Sequence, residues 1–260
     1  MQLLRHWSPG HIVGVFTDID DTLTTEGAIT SDALQALADL KLAGLHVVPI
    51  TGRPVGWSEP FAQSWPVDAI VAENGAVGLQ HSTTQGLRKL YQQDARTRQA
   101  NFTRMQVVLD QIEKEVTGAR RSQDSAGRET DIAIDHSEFT HLPQHAIDEV
   151  VRVMQGAGMT ATVSSIHING WFGTHSKLTG ARWIVRKLWG RDLDDEIDRW
   201  VYVGDSTNDQ VMFEHFPHSV GVANIRRFEA LLTHPPRYIT PSERGAGFAE
   251  MTRHLLAKPS

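Results

Sequence analysis

Ile12-Val13-Gly14-Val15-Phe16-Thr17-Asp18-Ile19-Asp20-Asp21-Thr22-Leu23-Thr24 sets an apolar run directly against a crowd of carboxylates. Residues 12–16 have the composition of a buried strand. Asp18, Asp20 and Asp21 follow at its end, within four positions. Acids this close repel one another, and a chain tolerates the crowding where a cation or a catalytic task requires it. Asp18 and Asp20 are two residues apart, so their side chains share a face or converge on one site if the chain curls. One ionised and one able to carry a proton, such a pair suits phosphoryl transfer through an aspartyl-phosphate. An acidic, solvated turn also accounts for the run taken alone.

Outward from this run, strands and helices alternate. Thr30-Ser31 can cap a helix through Ala33, Leu34, Leu37, Ala38 and Lys41, with Gly44 as terminator. A strand over 46–50 ends at Thr51-Gly52-Arg53-Pro54, a helix runs through Trp57 and Phe61, and 69–72 is a third strand. Asn74-Gly75 then favours a tight hairpin. From there the pattern changes. Residues 91–116 are polar with Phe102, Met105, Val108, Leu109 and Ile112 at helical spacing. Segments 130–135 and 160–168 alternate as half-buried strands do, around a helix opened by Pro143. Residues 119–127, rich in Arg, Ser and Gly, show the least order. Alternation resumes with a helix over 178–189, strands over 200–204 and 219–223, and helices over 208–216 and 246–256. The expected fold is α/β: a doubly wound, Rossmann-like parallel sheet, residues 1–80 and 169–260, interrupted by an α+β cap, residues 81–168.

Composition narrows the chemistry. The chain has 260 residues, 40% hydrophobic and 22% charged, with net charge −6 when histidine is neutral. No basic surface for nucleic acid is implied. The absence of cysteine excludes disulfides, thiol catalysis and thiolate metal sites. No signal-peptide pattern opens the chain and no apolar run spans a bilayer, so a cytoplasmic protein with no membrane or protein partner is expected. The 13 histidines include loosely spaced His136, His141 and His145 and form no metalloprotease-type helix pair, so zinc is not expected. No Gly-rich nucleotide loop is present.

Open α/β sheets bind ligands beyond the carboxyl ends of their strands. Asp18 to Asp21, Thr51-Gly52, and Gly204-Asp205-Ser206-Thr207-Asn208-Asp209 all fall there, and Ser176-Lys177 opens a helix. Asp205 and Asp209 can complete a magnesium site with Asp18, since Mg²⁺ takes hard oxygen donors and keeps several waters. A helix N-cap explains one residue of that segment but leaves the second acid unexplained. Lys177 can neutralise a phosphate or restrain the carboxylates. Its place at a helix start, unfavourable against the helix dipole, points the same way. Thr51 can donate its hydroxyl to a phosphoryl oxygen.

These segments together resemble the haloacid dehalogenase (HAD) superfamily. DxDxT corresponds to Asp18, Asp20 and Thr22, the strand-end Thr and its TGRP extension to residues 51–54, the motif lysine to Lys177, and GDSxND to Gly204, Asp205, Ser206, Asn208 and Asp209. Glu73-Asn74-Gly75-Ala76 and the insert look like the branch with a large α+β cap. That branch holds sucrose-phosphate, trehalose-phosphate and mannosyl-3-phosphoglycerate phosphatases, Cof-type phosphatases and eukaryotic phosphomannomutases. The resemblance implies that Asp18 attacks phosphorus and Asp20 serves as acid, then base. It implies Mg²⁺ on Asp18, Asp205 and the Asp20 carbonyl, with Asp209 helping. Thr51 and Lys177 would hold the phosphoryl oxygens, with Gly52, Arg53 and Asn208 alongside. The cap would contact the leaving group, with Arg128, Glu129, His167 and Asn169 as candidates and Trp171 as an aromatic surface.

The resulting expectation is a Mg²⁺-dependent phosphatase of a small phosphate monoester, foremost a sugar phosphate. A phosphomannomutase-like transferase is the second reading, against which the compact fourth motif counts. A catalytically silent phosphosugar-binding protein is the third, against which retention of all the acids counts.

Overall fold

A computed structural model describes residues 1–257. A short edge strand β1 (Gln2–Leu3) precedes β2 (Gly14–Thr17), whose four residues are all buried. The acidic run leaves β2 as a tight loop, in which the Ile19 carbonyl accepts the N–H groups of Leu23 and Thr24 at 2.9 and 3.1 Å. It continues into a small flap, β3 (Thr24–Thr25) against β4 (Ala28–Ile29), with Glu26 and Gly27 at its tip in positive φ. α1 (Ser31–Leu42) buries Ala33, Ala36, Leu37 and Leu40. That is the spacing of a one-sided apolar stripe. Each fully buried leucine contributes about 1.5–3 kcal/mol relative to exposure. Thr30 stands at its N-cap position without a side-chain bond, and Gly44 leaves the helix at φ +80°.

β5 (His46–Pro49) pairs parallel with β2, and α2 (Val55–Ser64) follows. β6 (Ile70–Ala72), β7 (Val77–Ser82) and β8 (Gly86–Tyr91) form an antiparallel sheet joined to β5 through a parallel Ile50–Val71 bridge. The β6–β7 hairpin is wider than an Asn-Gly turn would make it. Glu73, Asn74 and Gly75 all take positive φ within a 3-10 turn. Leu87 and Tyr91 of β8 pack on one of the two apolar clusters flanking the large sheet, so position 80/81 falls inside a hairpin that is continuous with that core.

α3 (Ala95–Glu115), β9 (Arg120–Arg121), β10 (Ile132–Asp135), α4 (Gln144–Gly156), β11 (Thr160–Val163) and β12 (His167–Trp171) come next. The four strands form their own antiparallel sheet in the order β11-β12-β10-β9. Both helices contribute to a third apolar cluster with Ile132, Ile134 and Ile168. The alternating run 160–168 is thus two strands, folded back at Ser164 where the backbone returns to His167. Residues 119–127 are ordered by pairing of Arg120–Arg121 with β10, by a Ser122-to-Asp124 hydrogen bond and by a 3-10 turn that closes at Gly127.

α5 (Lys177–Trp189), β13 (Trp200–Gly204), α6 (Gln210–His215), β14 (His218–Gly221), β15 (Tyr238–Ile239) and α7 (Arg244–Leu256) complete the chain. The main sheet is parallel throughout, in the order β1-β15-β14-β13-β2-β5. β2 and β13 lie side by side at its centre. Gly14 permits this, because the Trp200 ring occupies the space a Cβ would need. Among the described residues no helix is long and apolar enough to cross a membrane.

Candidate active site

The loops after β2, β5, β13 and β14 emerge at one edge of the sheet, and α5 starts beside them. The helix start is brought in by backbone-to-backbone contact. Gly75, at φ +108°, lies so close to Ser176 and Gly180 that a Cβ there would fall 2.2 Å from the Ser176 carbonyl. A capping box between Ser176 and Thr179 fixes the first turn of α5. Lys177, the first helical residue, is therefore aimed inward and is 2% exposed.

Its ammonium sits 2.5 Å from Asp18 Oδ1 and 2.7 Å from Asp209 Oδ1. Asp18 follows the last residue of β2, and its N–H donates to Val203 on β13 at 2.8 Å. Asp205 follows β13, accepts from Asn224 at 3.0 Å, and has Thr22 Oγ1 at 3.5 Å. Asp209 folds back over Gly204, whose Cβ would lie 2.5 Å from its carboxylate. Its Oδ2 accepts the N–H groups of Asp205 and Ser206 at 2.9 and 3.1 Å, and its Oδ1 accepts from Lys177 and the Tyr202 hydroxyl. Oxygens of Asp18, Asp205 and Asp209 all come within 4.8 Å of one another.

Three buried carboxylates against one ammonium make an arrangement short of positive charge. Burial, opposed by Lys177 and reinforced by Asp209 and Asp20, pushes Asp18 up to about 8. Burial, then Asp18 and Asp209, raises Asp205 well above the carboxylate range. An oxygen-only, buried, acid-rich pocket suits a hard divalent cation. The structure thus brings together Asp18, Asp205 and Asp209 of the expected metal residues, while the Asp20 carboxylate lies on Arg53. Asp209 has a second, structural task as the cap of its own turn, so both explanations of that segment apply.

Thr51 is fully buried, and its hydroxyl oxygen accepts the Arg53 N–H at 3.0 Å. Arg53 lies 5% exposed over the Trp57 ring. Its Nε reaches both Asp20 oxygens at 3.0 Å, its Nη1 reaches Asp124 at 3.2 Å, and its Nη2 reaches Glu138 at 2.7 Å. Asn208 accepts from Ser206 at 2.8 Å and faces a neighbouring cleft.

The insert closes onto this edge through buried polar contacts. Arg128 donates to the Gly52 carbonyl at 3.0 Å and to Asp131 at 2.8 Å, and lies 3.2 Å from Asp124. Asn169 donates to Asp131 at 3.1 Å, with the Gly52 carbonyl at 3.4 Å. His167 Nε2 stands 3.0 Å from Glu138. Burial pushes Asp131 up to about 7 despite Arg128. Burial also opposes ionisation of Glu138, but His167 and Arg53 outweigh it and bring it down to about 2. Arg128, His167 and Arg53 likewise bring Asp124 to about 2 against its burial. Glu129 faces elsewhere, bonded to Lys89 and Tyr91. Trp171 is 1% exposed and stacked on His175, and it lines the cleft that also holds Lys177 and Asn208.

Two clefts flank the cluster. One of about 390 Å³ is lined by Lys177, Asn208, Ser176 and residues of β11. The other, about 360 Å³, lies on the side of Asp20, between the flap and residues 138–139 of the insert. Glu138, Asp124, Asp131 and Asn224 are not among the expected site residues, and Glu73 enters there only within the Glu73-Asn74-Gly75-Ala76 segment. Asn224 had a signal, as a polar residue just beyond β14 at the carboxyl edge of the sheet. Glu138 had none, being a surface-type acid in a loop.

Residues 15–107 match the sequence model of a family described as haloacid dehalogenase-like hydrolase. No curated protein matches the chain by sequence. Several solved structures share its fold. Thermoplasma acidophilum protein 0175 is 16% identical with a TM-score of 0.69, over 94% of this chain and 99% of that one. The sucrose-phosphatase of Synechocystis sp. PCC6803, solved with sucrose and phosphate, is 15% identical with a TM-score of 0.66, over 95% and 100%. A sugar phosphatase of HAD subclass IIB is 15% identical with a TM-score of 0.62, over 93% and 98%. The chain has the haloacid dehalogenase-like hydrolase fold, with that family's sequence signature over residues 15–107.

Proposed function

We propose that this protein is a magnesium-dependent phosphatase that hydrolyses a small phosphate monoester, a sugar phosphate foremost, through an aspartyl-phosphate. The observation that carries the reading is the convergence of Asp18, Lys177, Asp205 and Asp209 in one buried cluster beside Asp20. The Asp18 and Asp205 carboxylates and the Asp20 backbone carbonyl would hold Mg²⁺, with Asp209 assisting. Bound there, it supplies positive charge for the phosphoryl oxygens.

The remaining steps fall to the chain's own side chains. Asp18 attacks phosphorus. Lys177 holds the nucleophile in place and lends charge to the transferring group. The Thr51 oxygen already accepts the Arg53 N–H, which leaves its proton free to donate to a phosphoryl oxygen. Asp20 donates a proton to the departing oxygen, then takes one from the water that opens the acyl phosphate. Arg53 fixes its orientation from the loop after β5. Residues of the insert cover the site, exclude water, and contact the leaving group. The two sugar-phosphate neighbours support the substrate class by analogy of fold.

The test is phosphate release from a panel of phosphate monoesters with and without Mg²⁺, for the wild type and Asp18→Asn. Magnesium-dependent release that Asp18→Asn abolishes, with the variant still folded, is expected. Undiminished turnover by the folded variant sinks the assignment.

A further inference from the structure

The cleft on the Asp20 side has an unbalanced charge. Asp20, Asp21, Glu26 and Glu138 face it, against the single guanidinium of Arg53 among the lining residues, with the His167 ring 3.0 Å from Glu138. That guanidinium is 5% exposed, and its three nitrogens already face carboxylates of Asp20, Asp124 and Glu138. It has no open side for a further anion. Asp21 is partly balanced from behind by Arg244, 3.0 Å away. Glu26, at the exposed tip of the flap, has no ion-pair partner among the described residues. On the opposite lip Phe139 is 62% exposed, a ring face open to C–H groups or to an ammonium. The other cleft is lined by hydroxyls, amides, Lys177 and the apolar groups of Ala161, Val163, Trp171 and Val211, and has no carboxylate among its lining residues.

We propose that the Asp20-side cleft takes the leaving group and selects it by charge, favouring a cationic alcohol over a neutral one and a neutral one over an alcohol bearing a second anion. This rests on the phosphatase reading, because the role of Asp20 as proton donor brings the departing oxygen to that side. A carboxylate or second phosphate on the leaving group would enter a region already in excess of negative charge, with no free donor to receive it. An ammonium meets several carboxylates and an exposed ring.

Two matched series test this. One is 6-phosphogluconate, glucose 6-phosphate and glucosamine 6-phosphate. The other is 2-phosphoglycolate, 2-hydroxyethyl phosphate and phosphoethanolamine. Size is nearly constant within each, and charge rises stepwise. The readout is kcat/KM, or, for an ester that is not turned over, the inhibition constant against p-nitrophenyl phosphate. About tenfold improvement per unit of charge is expected at low salt, shrinking as ionic strength rises. Glu26→Lys should close the gap between the anionic and neutral esters. An anionic ester ranked equal or first overturns the inference, as does a gap between anionic and neutral esters that Glu26→Lys leaves unchanged, while turnover itself upholds the phosphatase reading. No release from any ester, p-nitrophenyl phosphate included, takes down that reading and the inference with it.

Discussion

Lys177 and Asp18, 159 residues apart in the chain, meet at 2.5 Å where a helix start faces a strand end. The contact joins the segment before the insert to the segment after it, so Asp18, the proposed nucleophile, is positioned only when both halves of the sheet are assembled. The same ammonium restrains Asp209. Removing it leaves buried carboxylates with no cation beside them, a costly state. Lys177→Ala should therefore lose both turnover and about 3 kcal/mol of stability in metal-free protein. Urea denaturation at pH 7 measures the second effect independently of the first. A variant as stable as the wild type would mean that the carboxylates do not need the lysine.

Magnesium binding has a signature that does not depend on activity. Anything that binds the folded chain alone stabilises it, by about 2.7 kcal/mol at a hundredfold excess over Kd. Mg²⁺ should raise the melting temperature of the wild type by several degrees. Asp205→Asn should remove most of that shift, because Asp205 has neither the capping task of Asp209 nor the lysine partner of Asp18. Calorimetry over a Mg²⁺ series decides it, and an equal shift in the variant would move the metal elsewhere.

Glu73 fastens the insert to the core. It is fully buried; one oxygen accepts the N–H groups of Val55 and Glu129, at 3.0 and 2.9 Å, and the other accepts the N–H and hydroxyl of Thr130, both at 2.5 Å. Glutamine keeps one acceptor and turns an amino group toward donors. Glu73→Gln should cost about 2–4 kcal/mol. Amide exchange should speed up most over residues 125–135, where the insert loses its anchor. Exchange changed evenly across the chain would argue against a local fastening.

Acid should loosen the insert before the core. Glu138 and Asp124 are each held at about 2 in the folded chain, below ordinary values of 4.5 and 3.8. Depressed carboxylates contribute stability that is present above the unfolded values and lost as pH falls through the folded ones. The melting temperature of Glu138→Gln should therefore lie below that of the wild type at pH 6, with the gap closing between pH 4.5 and 2. A gap that persists at pH 2 would trace the loss to packing.

Much of this site was legible because its parts obey local rules. Asp18, Thr51, Lys177, Asp205 and Asp209 each sit at a strand end or helix start, positions that apolar runs and turn residues mark in the sequence. The closing contacts were not legible. Glu138 meets Arg53 across 85 residues, and Asp131 meets Asn74 across 57. Neither pair has a periodicity or a fixed spacing to reveal it. Trp171 is an expected aromatic surface; its indole N–H satisfies the His175 carbonyl at 3.0 Å, and the largely buried ring lines the cleft beside Lys177. The short strands β1, β3, β4, β9 and β15 were missed for another reason. Two residues carry no pattern, and only pairing with neighbours makes them strands.

His167 and Asn169 share one strand of the insert and one face of it, yet their partners differ. Asn169 is bonded to Asp131 and approaches the carbonyl of Gly52, next to Thr51. On the proposed function, truncating it disturbs the loop that would hold the phosphoryl group, whatever the leaving group is. His167 instead stands against Glu138, which faces the Asp20-side cleft. Truncating it frees a carboxylate that belongs to the wall of that cleft. Asn169→Ala should therefore lower kcat/KM by similar factors for the best sugar phosphate and for p-nitrophenyl phosphate. His167→Ala should lower it about tenfold more for the sugar phosphate, since differential contact with the leaving group acts on discrimination. Side-by-side kinetics on both esters separates the two roles. Equal losses in His167→Ala would assign this histidine to the closure of the insert and leave the reading of the leaving group to the flap and Phe139.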